Sequence, residues 1–265
     1  MALIAAALLP HSPLLIPEIG RVNYGFLAKT VAAYETIGAR LKTAGVETII
    51  LISQHGFAQA DAFTINIAPE MEINLKNFGF INPKTTLTGD IPLADEMTAA
   101  LRVAHPLRLI SEPILDYGSA VPLYLLKSLT DNFKIVTVSP AHDLSLETLA
   151  DGGIALQTVI SASTKKIAVI VSGDLSHRLK KKSPGGYSPK GAKFDNKLIE
   201  YLNNPLTAKE NITKMDMKLV NDAGECGLRP LVFALGMLAD RNWQPEVLAY
   251  QTDFGIGYLS FEFQI

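Results

Sequence analysis

Continuous apolar runs punctuate the chain, and each ends in a short polar motif. Residues 2–9, 47–53 and 166–171 are apolar over a strand's length and rich in branched residues, and 133–138 and the alternating stretch 62–67 also read as strands. Helical spacing recurs between them. Residues 26–44 place Leu27, Val31, Ala32, Ile37 and Leu41 on one face, and Gly45 supplies a C-terminal stop. Further helices are predicted over 93–104, 122–129, 146–161, 192–202 and 226–240. Residues 71–89, with Asn, Pro, Gly and Thr at short intervals, predict a surface excursion holding one edge strand, and 183–191 (SPGGYSPKG) predict a loop. Residues 245–265 predict two strands around Asp253-Phe254-Gly255-Ile256-Gly257, an antiparallel pair.

Buried strands alternating with helices predict an α/β fold of three layers, α/β/α, around a mainly parallel central sheet. With 265 residues, no internal repeat and no low-complexity linker, residues 1–265 are expected to form one domain. Ligands of such sheets bind beyond the carboxyl ends of the strands. Three polar motifs fall there: Pro10-His11-Ser12-Pro13, Ser53-Gln54-His55-Gly56, and Ser172-Gly173-Asp174-Leu175-Ser176-His177. A fourth, Gly224-Glu225-Cys226-Gly227, opens the apolar stretch 231–238. The topology therefore predicts that they converge on one rim.

Composition narrows the reading. Hydrophobic residues make up 48% and charged residues 19%, which suits a large core and argues against disorder. A net charge of −2 gives no excess positive field for nucleic acid. The densest basic run, Arg178-Leu179-Lys180-Lys181-Lys182, reads as a solvated loop, with attraction of an anionic substrate as the alternative because it follows His177. The single cysteine, Cys226, excludes an intrachain disulfide and a multi-cysteine zinc site and fits a reducing cytoplasm. The first apolar run lacks a basic n-region and is too short for a signal peptide. No stretch approaches the ~20 apolar residues of a membrane span.

Three of the five histidines lie in the rim motifs. Two histidines and a carboxylate are the donor set of a non-haem Fe(II) centre with open positions. His11 and His55 each follow a buried strand, where an imidazole needs a partner, either a metal or a carboxylate. Glu225 reads equally as a carboxylate at a helix N-terminus. Asp174 and His177 suit acid–base work near neutrality. His105 and His142 read as capping or loop residues. A Ser-His-Asp hydrolase lacks its Gly-x-Ser-x-Gly elbow here, and neither a dinucleotide nor a phosphate loop is present.

These residues give the chain a resemblance to the class III extradiol dioxygenase family in its catalytic B-subunit (LigB-like) form. It is most similar to the LigB-like domain of AmmeMemoRadiSam system and Memo-related proteins. The likeness rests on residues 9–18 (LPHSPLLIPE), Ser53-Gln54-His55, residues 172–179 (SGDLSHRL), Pro184-Gly185-Gly186-Tyr187, residues 225–230 (ECGLRP), and Phe254-Gly255-Ile256-Gly257-Tyr258. It implies that His11, His55 and Glu225 hold Fe(II), that His177 with Asp174 is the acid–base group, and that Tyr117 faces the substrate. The implied reaction inserts O₂ into a catechol-like aromatic diol.

The chain departs from the family pattern twice. Family members often carry Asp-His-Gly where this chain has Asp116-Tyr117-Gly118, and a phenol donates a hydrogen bond but is a poor base at neutral pH. Glu225 also adjoins Cys226, and neighbours near a helix start point about 100° apart, so only one can face the metal. Glu225 is preferred because a hard oxygen suits Fe(II). Cys226, which aligns with the Cys-Gly-Arg-His-Pro of the Memo branch, is the alternative third ligand and would favour zinc or copper(I). Two other functions stay open: a Memo-like metal- and partner-binding protein without ring cleavage, and a zinc-dependent hydrolase on the same site. The expected partners are a small aromatic diol and O₂, with no nucleic acid and no membrane. Exposed C-terminal edge strands suit a homodimer. The AMMECR1-type domain that relatives often fuse to this one is not expected within these residues, so it, or a radical-SAM protein, would be a separate partner by analogy only.

Overall fold

Strands buried on both faces carry the same apolar character on odd and even positions, and that is the arrangement found at the centre of this protein. The computed structural model describes residues 2–81, 83–130 and 132–265. Its strands are β1 (Leu3–Leu9), β2 (Thr48–Ser53), β3 (Phe63–Asn66), β4 (Glu70–Ile73), β5 (Thr85–Thr88), β6 (Leu107–Ile110), β7 (Lys134–Ser139), β8 (Ile167–Ser172), β9 (Gln244–Gln251) and β10 (Tyr258–Gln264). Its helices are α1 (Pro17–Gly20), α2 (Ala28–Ala44), α3 (Ile91–Arg102), α4 (Tyr117–Leu129), α5 (Leu146–Ala155), α6 (Gln157–Ala162), α7 (Pro189–Leu202), α8 (Ala208–Thr213), α9 (Met217–Ala223) and α10 (Leu228–Met237).

The main sheet runs in the order β6-β3-β7-β2-β8-β1-β10-β9. Strands β7, β2, β8 and β1 are mutually parallel, with Ile50 opposite both Val136 and Val169. Antiparallel neighbours flank them: β3 beside β7, and the β10–β9 pair beside β1. Alternate side chains divide between two cores. Ile50, Ile52, Val136, Val169 and Val171 meet helices that include α3, α5, α7 and α10, whereas Ile49, Leu51, Ile135, Ala168 and Ile170 meet α2 and α4. The three-layer α/β/α fold and the antiparallel C-terminal pair are therefore as expected.

Some elements differ from the sequence reading. Residues 71–89 hold two strands, not one edge strand, because β4 and β5 pair with each other from Glu70↔Thr88 to Ile73↔Thr85. Asn82, within that excursion, lies outside the described residues. The helix expected at 122–129 begins at Tyr117, because the Asp116 side chain accepts from Ser119 N at 3.0 Å and so caps it five residues earlier. Pro122 is thus inside the helix, where its missing N–H leaves the carbonyl of Gly118 without its usual helical donor. Strand β6 and helices α8 and α9 are additions, each six residues or fewer for β6 and α8 and seven for α9. The 146–161 helix is broken at Leu156 into α5 and α6.

Candidate metal centre

The parallel topology delivers four polar segments to one rim. His11 follows β1, His55 follows β2, and Asp174 and His177 follow β8, while Cys226 lies in the turn between α9 and α10. Their donor atoms form two groups, His11–His55–Cys226 and Asp174–His177–Cys226, and within each all donors lie within 4.8 Å of one another. His11, Asp174 and Cys226 are buried, and His55 and His177 are half-buried.

Local bonds fix how His11 is presented. Tyr34 donates its hydroxyl to Pro10 O at 2.6 Å, and His11 N donates to Asp174 Oδ1 at 3.2 Å, so the backbone at the strand end is held on both sides. Ser172 Oγ lies 2.5 Å from Gly118 O and 3.0 Å from His11 Nδ1. A carbonyl only accepts, so the serine spends its one proton on Gly118, and His11 must donate from Nδ1. Nε2 is left bare, 3.5 Å from Cys226 Sγ and 3.7 Å from Asp174 Oδ2. Burial, with His177 nearby, lowers the His11 pKa to about 3, so the ring is neutral and its lone pair is free.

His55 is shaped by the start of α4. Ser53 Oγ accepts from His55 N at 3.2 Å and donates to Asp116 Oδ1 at 3.4 Å. The Tyr117 hydroxyl stands 3.2 Å from His55 Nε2 and 3.3 Å from Nδ1, with the ring centroids 4.6 Å apart. Burial, helped by His11, lowers the His55 pKa to about 4. Burial also raises the Tyr117 pKa, so the phenol keeps its proton and acts as a donor. Phe78 packs edge-on to Tyr117 at 5.7 Å, adding an exposed aromatic wall at the mouth.

The segment after β8 holds the second pair. His177 Nδ1 faces Gly224 O at 2.7 Å, so the neutral ring carries its proton on Nδ1 and turns its acceptor Nε2 toward Asp174 Oδ2 at 4.0 Å. Burial pushes the Asp174 carboxyl up to about 6, against the opposing pull of His177. Burial and the Asp174 charge push the Cys226 thiol well up, and Asp174 N donates to its sulfur at 3.4 Å.

Glu225, the carboxylate preferred in sequence as third ligand, belongs to neither donor group. Its Oε2 accepts from Leu228 N, at the start of α10, at 2.6 Å, and burial lifts its pKa to about 7. Cys226, the alternative, is common to both groups. Of the other residues weighed in sequence, His142 is exposed and His105 rests edge-on against Phe63 at 5.7 Å. Lys180, Lys181 and Lys182 are exposed, and Arg178 turns back to Asp222 O at 3.4 Å. Sequence reasoning missed Ser172 and the carbonyls of Gly118 and Gly224, which set the two histidine tautomers. The one local signal was Pro122, whose position inside a helix frees the Gly118 carbonyl.

Two neutral imidazoles and a thiol this close fit a metal ion. A cation beside Cys226 would favour the thiolate that burial otherwise disfavours.

Residues 5–260 match the family model of the catalytic LigB subunit of aromatic ring-opening dioxygenase. The chain belongs to the LigB family. Members of the LigB family are typically oxidoreductases that use a metal, commonly Fe(II). Protein CA_C1420 of Clostridium acetobutylicum is 30% identical over 272 residues, an alignment covering 97% of this chain and 57% of that protein. The chain thus spans little more than half the length of that relative. Among solved structures, the uncharacterized protein JW3007 from Escherichia coli K12 shares the fold, with a TM-score of 0.68 over 98% of this chain and 99% of that chain at 17% identity. Among the described residues, no helix is long and apolar enough to cross a membrane.

Proposed function

We propose that this LigB-family protein holds a metal on His11, His55 and Cys226 and uses it to oxidise a catechol-like aromatic diol with O₂, with His177 and Asp174 as the acid–base groups. The observation that carries this reading is the donor cluster itself: His11, His55 and Cys226 within 4.8 Å, beside the bare Nε2 of His177. When bound, Fe(II) would supply open coordination positions and a path for electrons from the diol, which is oxidised, to O₂, which is reduced. His177 Nε2 takes a proton from a diol hydroxyl and returns it later. Asp174, buried beside both His11 and His177, balances the imidazolium formed in between. Tyr117 orients the substrate by hydrogen-bond donation, and Phe78 beside it offers an apolar wall to an aromatic ring.

Cys226 in place of Glu225 as third ligand favours a second reading. A thiolate is a soft donor, suited to zinc or copper(I). On those metals the site would serve a Memo-like metal- and partner-binding protein without ring cleavage, or a zinc hydrolase.

The deciding experiment is anaerobic calorimetry of the native protein, Cys226→Ala and Glu225→Ala with Fe(II) and Zn(II), followed by O₂ uptake of the iron-loaded protein with a panel of catechols. Fe(II) binding lost in Cys226→Ala, with O₂ uptake matched by catechol loss, supports the oxidative reading. Preferential zinc binding without O₂ uptake moves the function to the second.

A further inference from the structure

Asp195, on α7, is a fully buried carboxylate that none of the chemistry above uses. Among the described residues it has two hydrogen-bonding partners. Oδ1 accepts from Ser176 N at 2.9 Å, and Oδ2 accepts from the Tyr250 hydroxyl on β9 at 2.7 Å. Ser176 immediately precedes His177. Its own hydroxyl donates to Ala223 O at 2.8 Å and accepts from Arg178 N at 3.0 Å. The same short stretch pairs with the turn before β10: Leu175 N donates to Gly257 O at 2.8 Å, and Gly257 N donates to Ser176 O at 2.9 Å.

Space has been cleared for this carboxylate. A side chain at Gly257 would press directly into Asp195 Oδ2, and one at Gly191 would press into Ser176 Oγ. A buried carboxyl with so few donors is costly: burial raises its pKa to about 6 in spite of both bonds. An apolar side chain would join α7 to β9 without that cost. Among the described residues, the carboxylate is the one side chain that reaches the Ser176 amide, and through it the segment that carries His177.

We propose that Asp195 is the positioning residue of His177: anchored by Tyr250, its buried carboxylate holds the Ser176 amide and thereby keeps the His177 ring on the Gly224 carbonyl with Nε2 aimed into the rim. This rests on the acid–base reading of His177 for its functional meaning, but not for its test. Asp195→Ala removes the acceptor. Asp195→Asn keeps an acceptor for the Ser176 amide, and Tyr250→Phe removes only the anchor.

The experiment is NMR of protein labelled with ¹⁵N-histidine, paired with anaerobic Fe(II) calorimetry of each variant. In Asp195→Ala the His177 ring signals leave the pure Nδ1–H tautomer for an averaged one, while Fe(II) affinity stays within about threefold of the native protein, because His11, His55 and Cys226 are untouched. Asp195→Asn keeps the native His177 signals, and Tyr250→Phe shifts them part of the way. Unchanged His177 signals in Asp195→Ala overturn the proposal, as does a loss of Fe(II) affinity of about tenfold or more, which would mark a general collapse of the rim. Should Asp195→Ala fail to fold, unchanged His177 signals in Tyr250→Phe overturn it alone. His177→Ala tests the underlying reading separately: undiminished O₂ uptake by that iron-loaded variant would remove the acid–base role and leave the ring-position result standing.

Discussion

Cys226 Sγ lies 3.5 Å from His11 Nε2, although 215 positions separate the two in sequence. The contact exists because β1 and the turn before α10 end on the same rim, and because the nitrogen that faces the sulfur is the one Ser172 leaves unprotonated. Replacing Cys226 by Ala is expected to lower metal affinity on the order of 100-fold or more, since a direct ligand must matter at least as much as its supports. Glu225→Ala is expected to leave metal affinity nearly unchanged and to lower stability by about 1 kcal/mol through the lost bond to Leu228 N. Anaerobic calorimetry and thermal unfolding of both variants separate the two roles, and the reverse pattern would restore Glu225 as the ligand.

Ser172 makes a second, indirect contribution. Without its hydroxyl, His11 Nδ1 has no acceptor and the ring is free to turn or to exchange tautomers. Ser172→Ala should weaken metal binding by about 10- to 100-fold, as loss of a ligand's supporting hydrogen bond does. Affinity equal to that of the native protein would show that His11 is oriented by packing alone.

Tyr117 is expected to act in the opposite sense. Its hydroxyl sits over the nitrogens of His55 and occupies a position that a metal would contest. Tyr117→Phe removes one hydrogen bond from the metal-free protein and should tighten metal binding by about 3- to 10-fold. Turnover of a diol should fall at the same time, because the donor that orients it is gone. Weaker binding in the variant would instead identify the phenol as part of the ligand set.

Asp195 has a distinct signature in stability. Its pKa rises from 3.8 in the ordinary state to about 6 in the folded protein. Over that window the native state holds a proton that the unfolded chain has released, so this group's contribution to stability is fully present below about pH 4 and is lost as pH climbs through about 6. Asp195→Asn removes the dependence. Relative to the native protein it should gain stability as pH rises from about 4 to about 7, by up to about 3 kcal/mol. Chemical denaturation of the pair across that range checks it, and a difference that shrinks with rising pH would contradict the sign.

Much of the fold was legible because the chain alternates long buried strands with helices, and period-two and period-3.6 patterns leave different marks. Residues 2–9, 47–53 and 166–171 became β1, β2 and β8 nearly residue for residue. The rim motifs were legible for the same reason, since a polar residue after a buried parallel strand has nowhere else to go. The surroundings of Glu225 and Cys226 were less legible. Glu225 and Cys226 differ by one position, and only tertiary contacts bring the Cys226 sulfur to 3.5 Å from His11 Nε2 while Glu225 Oε2 meets Leu228 N. The start of α4 was obscured by Pro122, which reads as a first-turn residue and is an interior one. The role of Ser172 depended on β8 lying between β1 and β2 with α4 above them, a matter of tertiary adjacency that local patterning does not encode.

Pro122 sets two demands against each other at a single atom. Restoring an N–H at that position, as in Pro122→Ala, would give the Gly118 carbonyl its helical partner and make α4 a better helix. The same carbonyl would then accept from two donors, and the competition would weaken the bond that commits the Ser172 proton and, with it, the hold on the His11 tautomer. Selection for thermal robustness alone would therefore be expected to find this substitution and to degrade the metal centre by finding it, a local trade-off between durability and chemistry.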